Sequence, residues 1–119
     1  MTVVANNVVE GLLTSDTGEW VTVVEAAGPT NARYHNIWTC VEVSSNLAQA
    51  PVHLRVLLDG VAVNEETYRP LVAQDPRIIS PFGRVLLTEG QHSLSLQFRT
   101  GQAGVIAFCR RARIMVMQD

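Results

Sequence analysis

Glycine or proline stands at nearly every boundary between short, β-branched or alternating runs. No stretch of useful length carries the 3.6-residue period of an amphipathic helix. A chain punctuated this way closes its core strand against strand. The runs fall at 3–9, 19–25, 33–44, 52–58, 61–63, 85–87, 91–100 and 105–118, with a short apolar piece at Leu12-Leu13. About eight short strands in a chain of 119 residues predict an all-β, antiparallel β-sandwich of jelly-roll type, with 1–119 as a single domain. An immunoglobulin-like sandwich is the alternative; Cys40 and Cys109 are its support, and Trp38 lies too close to Cys40 for the usual arrangement.

Two segments carry most of the detail. Asp59-Gly60 supplies the positive φ values of a two-residue primed turn, pairing Leu58 with Val61 and Val56 with Val63. That puts Val52, Leu54, Val56, Leu58, Val61 and Val63 on one face and His53 and Arg55 on the other. The final stretch, 90–119, reads as a terminal hairpin. A turn at 100–104 keeps Leu94, Leu96, Phe98, Ile106, Phe108, Ala112, Ile114 and Val116 on one face, with Arg110 inward. A loop one residue shorter turns Cys109 inward instead and needs a bulge near Arg110. The first register needs no bulge and is preferred. It leaves Arg111, Arg113, Met115 and Met117 as a stripe on the opposite face, and both residue types are enriched at interfaces.

Segment 33–44 is apolar on both faces, with Ile37, Val41 and Val43 on one and Tyr34, Trp38 and Cys40 on the other. Such a strand belongs inside a sandwich or at an interface. Residues 26–31 are expected to break the strand before it. Residues 69–83, with Pro70, Pro76 and Pro81, form the longest irregular segment. It is either a crossover between sheets or a partner-contacting loop, with Arg77, Phe82 and Arg84 as contacts.

Charged residues make up 17% of the chain, below the roughly 25% of an average domain, which fits a surface partly buried against a partner. All nine basic residues are arginine, a pattern that codon bias or a preference for interfacial pairs both explain. A net charge of −2 argues against nucleic acid as a partner, and no apolar run is long enough to cross a bilayer. The opening Met1-Thr-Val-Val-Ala-Asn-Asn has no basic segment with an apolar block behind it. No signal peptide is expected, and synthesis in a host cytoplasm is.

The chemistry of a site is not announced. His35, His53 and His92 fall in three separate strands, and the two cysteines match no zinc spacing, so no metal or other cofactor is expected. Cys40 and Cys109 read as buried free thiols or as a disulfide that only geometry can test. Glu65 and Glu66 are adjacent in a strand end and face opposite sides, a poor acid/base pair. No nucleophile elbow or phosphate loop is present, so no catalytic residue is assigned and no enzyme is expected. Arg110-Arg111-Ala112-Arg113 either pairs with carboxylates of its own chain or lies in a subunit contact.

The ending, Leu87-Thr-Glu-Gly-Gln-His-Ser-Leu-Ser-Leu-Gln-Phe followed by Arg111-Ala-Arg-Ile-Met-Val-Met-Gln118, resembles the last strands of small jelly-roll phage virion proteins, head decoration or tail-associated. The same turn pattern occurs in carbohydrate-binding modules. The resemblance covers about a quarter of the chain. It implies a non-enzymatic structural protein of a virion, acting as a homo-oligomer, a trimer, on a larger assembly such as a capsid. Arg111, Arg113, Met115, Met117, Arg77 and Phe82 are the expected interface residues. A carbohydrate-binding module is the alternative, for which Trp20, Trp38, Tyr34 and Tyr68 would have to serve as the aromatic platform.

Overall fold

The protein is described by a computed structural model covering residues 2–118, and every regular element in it is a strand. The strands are β1 Thr2–Val9, β2 Leu13–Ser15, β3 Val21–Thr30, β4 Arg33–Ser45, β5 Val52–Leu58, β6 Val61–Tyr68, β7 Arg77–Ile79, β8 Phe82–Leu87, β9 Gly90–Thr100 and β10 Ala107–Gln118. β1 and β2 lie end to end along one edge of β10, and β7 and β8 share the far edge of β4. The ten strands therefore make eight rows. The first sheet runs β1/β2, β10, β4, β7/β8; the second runs β3, β9, β5, β6; all pairs are antiparallel. Apart from the β5–β6 hairpin, the chain changes sheet at every step from one row to the next. This is jelly-roll wiring. It excludes the immunoglobulin order, which needs several hairpins within a sheet.

The two inner faces meet in one core. Val24, Val52, Leu54, Val56, Leu94, Leu96 and Phe98 come from the second sheet, and Ile37, Val41, Val43, Ala107, Cys109, Ala112, Ile114 and Val116 from the first. The Asp59-Gly60 turn forms as expected, with φ of 49° and 84°, and Leu58 faces Val61. Beyond that pair the register slips: Val56 faces Asn64, not Val63. One extra residue on β6, at Val63, lets that edge strand twist away, and Val61 is 67% exposed although it keeps its expected pairing with Leu58.

The terminal hairpin is not a hairpin. β9 and β10 belong to different sheets, and residues 101–106 arch across the sandwich between them. The bulge-free register fails with it. Ala107 and Cys109 face the core, Ile106 and Phe108 do not, and a bulge between Arg110 and Arg113 returns Ala112, Ile114 and Val116 to the inside. Arg110 points outward, not in. Each strand buries one apolar face against the opposite sheet, and pairing β9 with β10 side by side would forgo that contact.

β3 runs on through Ala26–Thr30, where a break was expected. It is an edge strand, so Pro29 lacks an N–H only where no neighbour would use it. β1 and β3, the edges of the two sheets, approach closely at Gly28. A Cβ there would lie 2.8 Å from the Val4 carbonyl oxygen. Gly28→Ala is expected to cost about 1–3 kcal/mol by this overpacking. An unchanged urea midpoint would contradict the close approach of the edges.

The β5–β6 turn is clamped to the start of β9. Asp59 Oδ1 accepts the Ser93 N–H at 2.8 Å, and Asp59 Oδ2 lies 2.7 Å from His92 Nδ1. His92 Nε2 lies 2.9 Å from the Thr88 carbonyl oxygen, so both ring nitrogens face acceptors and the imidazolium satisfies both. The hydrogen bond to Asp59, then that to Thr88, raises the His92 pKa above 6.5. The Ser93 N–H, then His92, holds Asp59 below 3.8. The His92 contribution is complete below 6.5 and is lost as the pH climbs through its raised pKa. The Asp59 contribution is present above 3.8 and is lost as the pH falls through its lowered one. Between those values both act. The gap in melting temperature between wild type and His92→Asn should therefore be wider at about pH 5.5 than at about pH 9. Equal gaps would show that the contact carries no proton-linked stability.

Candidate functional site

Alternation along β4 sends His35, Ile37, Thr39, Val41 and Val43 inward, and hence Tyr34, Asn36, Trp38, Cys40 and Glu42 outward. The register then fixes what lies beside them on the outer face of the first sheet. One row reads Asn6, Met115, Trp38, Phe82; the next reads Val3, Met117, Asn36, Arg84; a third reads Val8, Arg113, Cys40. Leu86 sits across from Tyr34 at the same end, and the Arg84 guanidinium lies 4.6 Å from the Tyr34 ring centre. Phe82 is 49% exposed, Leu86 64% and Val3 52%. Large apolar side chains exposed side by side, even with Asn6, Asn36 and Arg84 among them, are a mark of interaction sites.

Of the expected interface residues, Arg113, Met115, Met117 and Phe82 share this face. Arg111 sits at its margin, in the β10 bulge, at φ 52°. There Glu42 takes both neighbouring arginines: its Oε2 accepts from Arg110 Nε at 2.7 Å and its Oε1 from Arg111 at 3.1 Å. The Arg110 hydrogen bond is the main reason the Glu42 pKa lies below its usual value. Two of the clustered arginines thus pair within the chain, while Arg113 has no carboxylate partner among the described residues. Arg77 lies further along β4, opposite Val43, and pairs with Asp75 at 2.8 Å. The sequence assigns no role to Leu86, Val3 or Val8, and marks Trp38 and Tyr34 as aromatic-platform candidates, not as interface residues. The doubly apolar pattern of 33–44 was the signal for the latter two.

The outer face of the second sheet is different in kind. Glu65, Arg55, Gln97 and Thr22 form one row across it, and Thr67, His53 and Arg99 form the next, which Trp20 extends from the start of β3. The Arg55 and Arg99 guanidinium carbons lie 4.1 and 4.9 Å from the centre of the Trp20 ring. Arg55 Nε donates to Gln97 Oε1 at 2.8 Å, and Gln97 in turn donates to Thr22 Oγ1. His53 Nδ1 lies 2.8 Å from Thr67 Oγ1. Burial, then Arg99 and Arg69, holds the His53 pKa below its ordinary value, against an opposing pull from Glu65.

Among the described residues, no group of three His, Cys, Asp or Glu side chains is placed to hold a metal. Cys109 faces the core, where burial pushes its thiol pKa up, while Cys40 points outward. Both are free, and lying on opposite faces of the sheet they cannot bridge. Thr88, His92 and Asp59 have the outline of a nucleophile, base and acid. His92 Nε2, however, is 2.9 Å from the Thr88 carbonyl and 3.3 Å from its hydroxyl, so its proton is committed to the backbone.

No protein-family model and no curated protein matches the chain. Among solved structures it is similar to a chain of T=1 particles derived from infectious bursal virus, with a TM-score of 0.66 at 12% identity over 95% of this chain. It is similar to the insecticidal delta-endotoxin Cry8Ea1 from Bacillus thuringiensis, with a TM-score of 0.57 at 12% identity over 91% of this chain. The CBM36-1 domain of a multidomain xylanase from the hindgut metagenome of Trinervitermes trinervoides gives a TM-score of 0.52 at 12% identity, covering 92% of this chain and 95% of that one. The chain spans 31% of the viral chain and 19% of the toxin. At these identities the likeness carries the fold, an antiparallel jelly-roll sandwich, that viral particle chains and a carbohydrate-binding module share.

Proposed function

We propose that the protein works by assembly, without catalysis: a virion structural protein, of the head-decoration or tail-associated kind. In this reading the outer face of its first sheet packs against a further copy of the same chain in a homotrimer, and the oligomer then seats on a larger protein shell. The observation that supports this reading is the contrast between the two outer faces. One carries Trp38, Phe82, Met115, Met117 and Leu86 in adjoining rows, among Asn6, Asn36, Arg84 and Arg113, while the other carries arginine, glutamate, glutamine and threonine around Trp20. Solvation alone would treat both faces alike.

A second copy is favoured as the occupant because the face carries both charges of an ion pair that the chain leaves unmade. Glu10 and Arg113 line the same shallow cleft of about 190 Å³, beside Trp38 and Cys40, and neither side chain has an ion-pair partner among the described residues. In a closed ring, Arg113 of one copy meets Glu10 of the next, and the apolar rows are covered between them. A neutral-sugar platform is less well served. The Trp20 ring is occupied by two guanidiniums, and Trp38 is flanked in its row by Met115 and Phe82.

Light scattering over a concentration series tests this. Wild type should exceed monomer mass. Phe82→Ser, and Met115→Ser with Met117→Ser, should each weaken association by about tenfold or more, since a buried large apolar side chain contributes about 1.5–3 kcal/mol. A wild type that stays monomeric and binds no capsid-sized assembly would sink the proposal. So would methionine variants that unfold alongside a Phe82→Ser that associates normally, because the stripe would then belong to the core.

A further inference from the structure

The second sheet offers an independent site. Arg55 and Arg99 converge on one indole, and neither has a carboxylate within ion-pairing distance among the described residues. Two like charges are held together by the ring, by Gln97 and by Thr22, before any anion arrives. Arg99 adds a more specific sign. Its Nε is buried with no hydrogen-bond partner, and its Nη1 makes only a long 3.5 Å bond to the Gly18 carbonyl oxygen. Buried guanidinium donors are ordinarily satisfied. Two hollows, of about 430 and 310 Å³, adjoin at Arg99 and His53 and give the site length.

We propose that this cleft binds an acidic saccharide, its carboxylate received by the fork of Arg99, with Arg55 beside the same indole adding positive charge, and its hydroxyls by the walls on either side. The fork geometry of arginine matches a carboxylate in two parallel bonds. The walls decide the rest of the ligand. Glu65, Glu66 and Thr67 line one hollow, and Asp16, Thr17 and the Gly101–Gly104 backbone line the other. Three carboxylates beside two arginines repel a uniformly anionic polymer such as nucleic acid or polyphosphate. They suit a chain with one anionic group per unit amid neutral hydroxyls, whose protons need acceptors. The Trp20 ring here orients the cations and is not a bare stacking surface. That separates this site from an aromatic sugar platform.

Isothermal titration with tri-galacturonate, glucuronate-containing trisaccharides and sialyllactose supplies the test, with methyl-esterified tri-galacturonate and acetate as controls. At least one acidic sugar should bind and its neutral ester should not. Arg99→Gln should weaken that binding tenfold or more, Arg99→Lys should restore part of it, and Glu65→Gln should tighten it by removing the competing carboxylate. The His53 titration followed by NMR should shift upward on binding, because the bound anion opposes Arg99 and Arg69. Melting temperatures close to wild type confirm that the variants are folded. The proposal is overturned if no acidic sugar in the set binds, if the ester binds as well as the acid, if acetate competes at equal carboxylate concentration, or if folded Arg99→Gln binds unchanged. None of these outcomes depends on the mass of the protein in solution.

Discussion

The structure turns on a change of side halfway along β10. This strand is central in the first sheet, bonded to β1 and β2 on one edge and β4 on the other, so each of its residues must commit to core or surface. Its first half sends odd-numbered Ala107 and Cys109 inward, and its second half sends even-numbered Ala112, Ile114 and Val116. Period-two alternation cannot do both. The bulge at Arg110 and Arg111 absorbs the difference, at the cost of a left-handed φ for Arg111, a conformation non-glycine residues seldom adopt. Glu42 holds it in place by gripping both arginines from the neighbouring strand. The Arg111 N–H, freed from the ladder, reaches the Glu10 carbonyl at 3.4 Å.

The bulge also decides what the surface is. Because the second half of β10 is shifted by one, Arg113, Met115 and Met117 lie outward beside Cys40, Trp38 and Asn36. Without the shift, Ile114 and Val116 would occupy that face and the methionines would enter the core. One backbone irregularity thus sets both the packing of the sandwich and the composition of its outer face. Removing Glu42 would loosen the two together, so a variant there could not separate folding from assembly.

Much of this was legible in the sequence, for reasons that can be stated. Turn residues between short runs fix an all-β sandwich, because the positive φ of Asp59-Gly60 and the absence of a helical period leave little else. The two-sided pattern of 33–44 places β4 inside one sheet and on a second contact at once. Which strands pair was not legible. The link 101–106 can close a hairpin or arch between sheets, and strands 90–100 and 107–118 each have an apolar face for either purpose. The parity break around Arg110 was visible as one of two registers. The sequence does not favour it, because a bulge has a local cost, while its compensation, a buried Ala107 and Cys109 facing the other sheet, is long-range. The Trp20 cluster was invisible for the same reason: Trp20, Arg55 and Arg99 are brought together only by the order β3, β9, β5.

That order gives the two outer faces their different characters. In a jelly roll nearly every connection crosses the sandwich, so neighbours within a sheet come from distant parts of the chain. A surface row such as Val8, Arg113, Cys40 is therefore composed from three separate segments, and so is Glu65, Arg55, Gln97. Phe82, Leu86, Met115 and Met117 lie on the first sheet among Asn6, Asn36, Arg84 and Arg113, while the second sheet gathers Arg55, Arg99, Gln97 and His53 around Trp20. The core cannot be the cause of that asymmetry, since each outward side chain points away from it. On the proposed reading, the cause lies in what each face meets. Burial against another copy suits the first face, and a charged ligand in water suits the second.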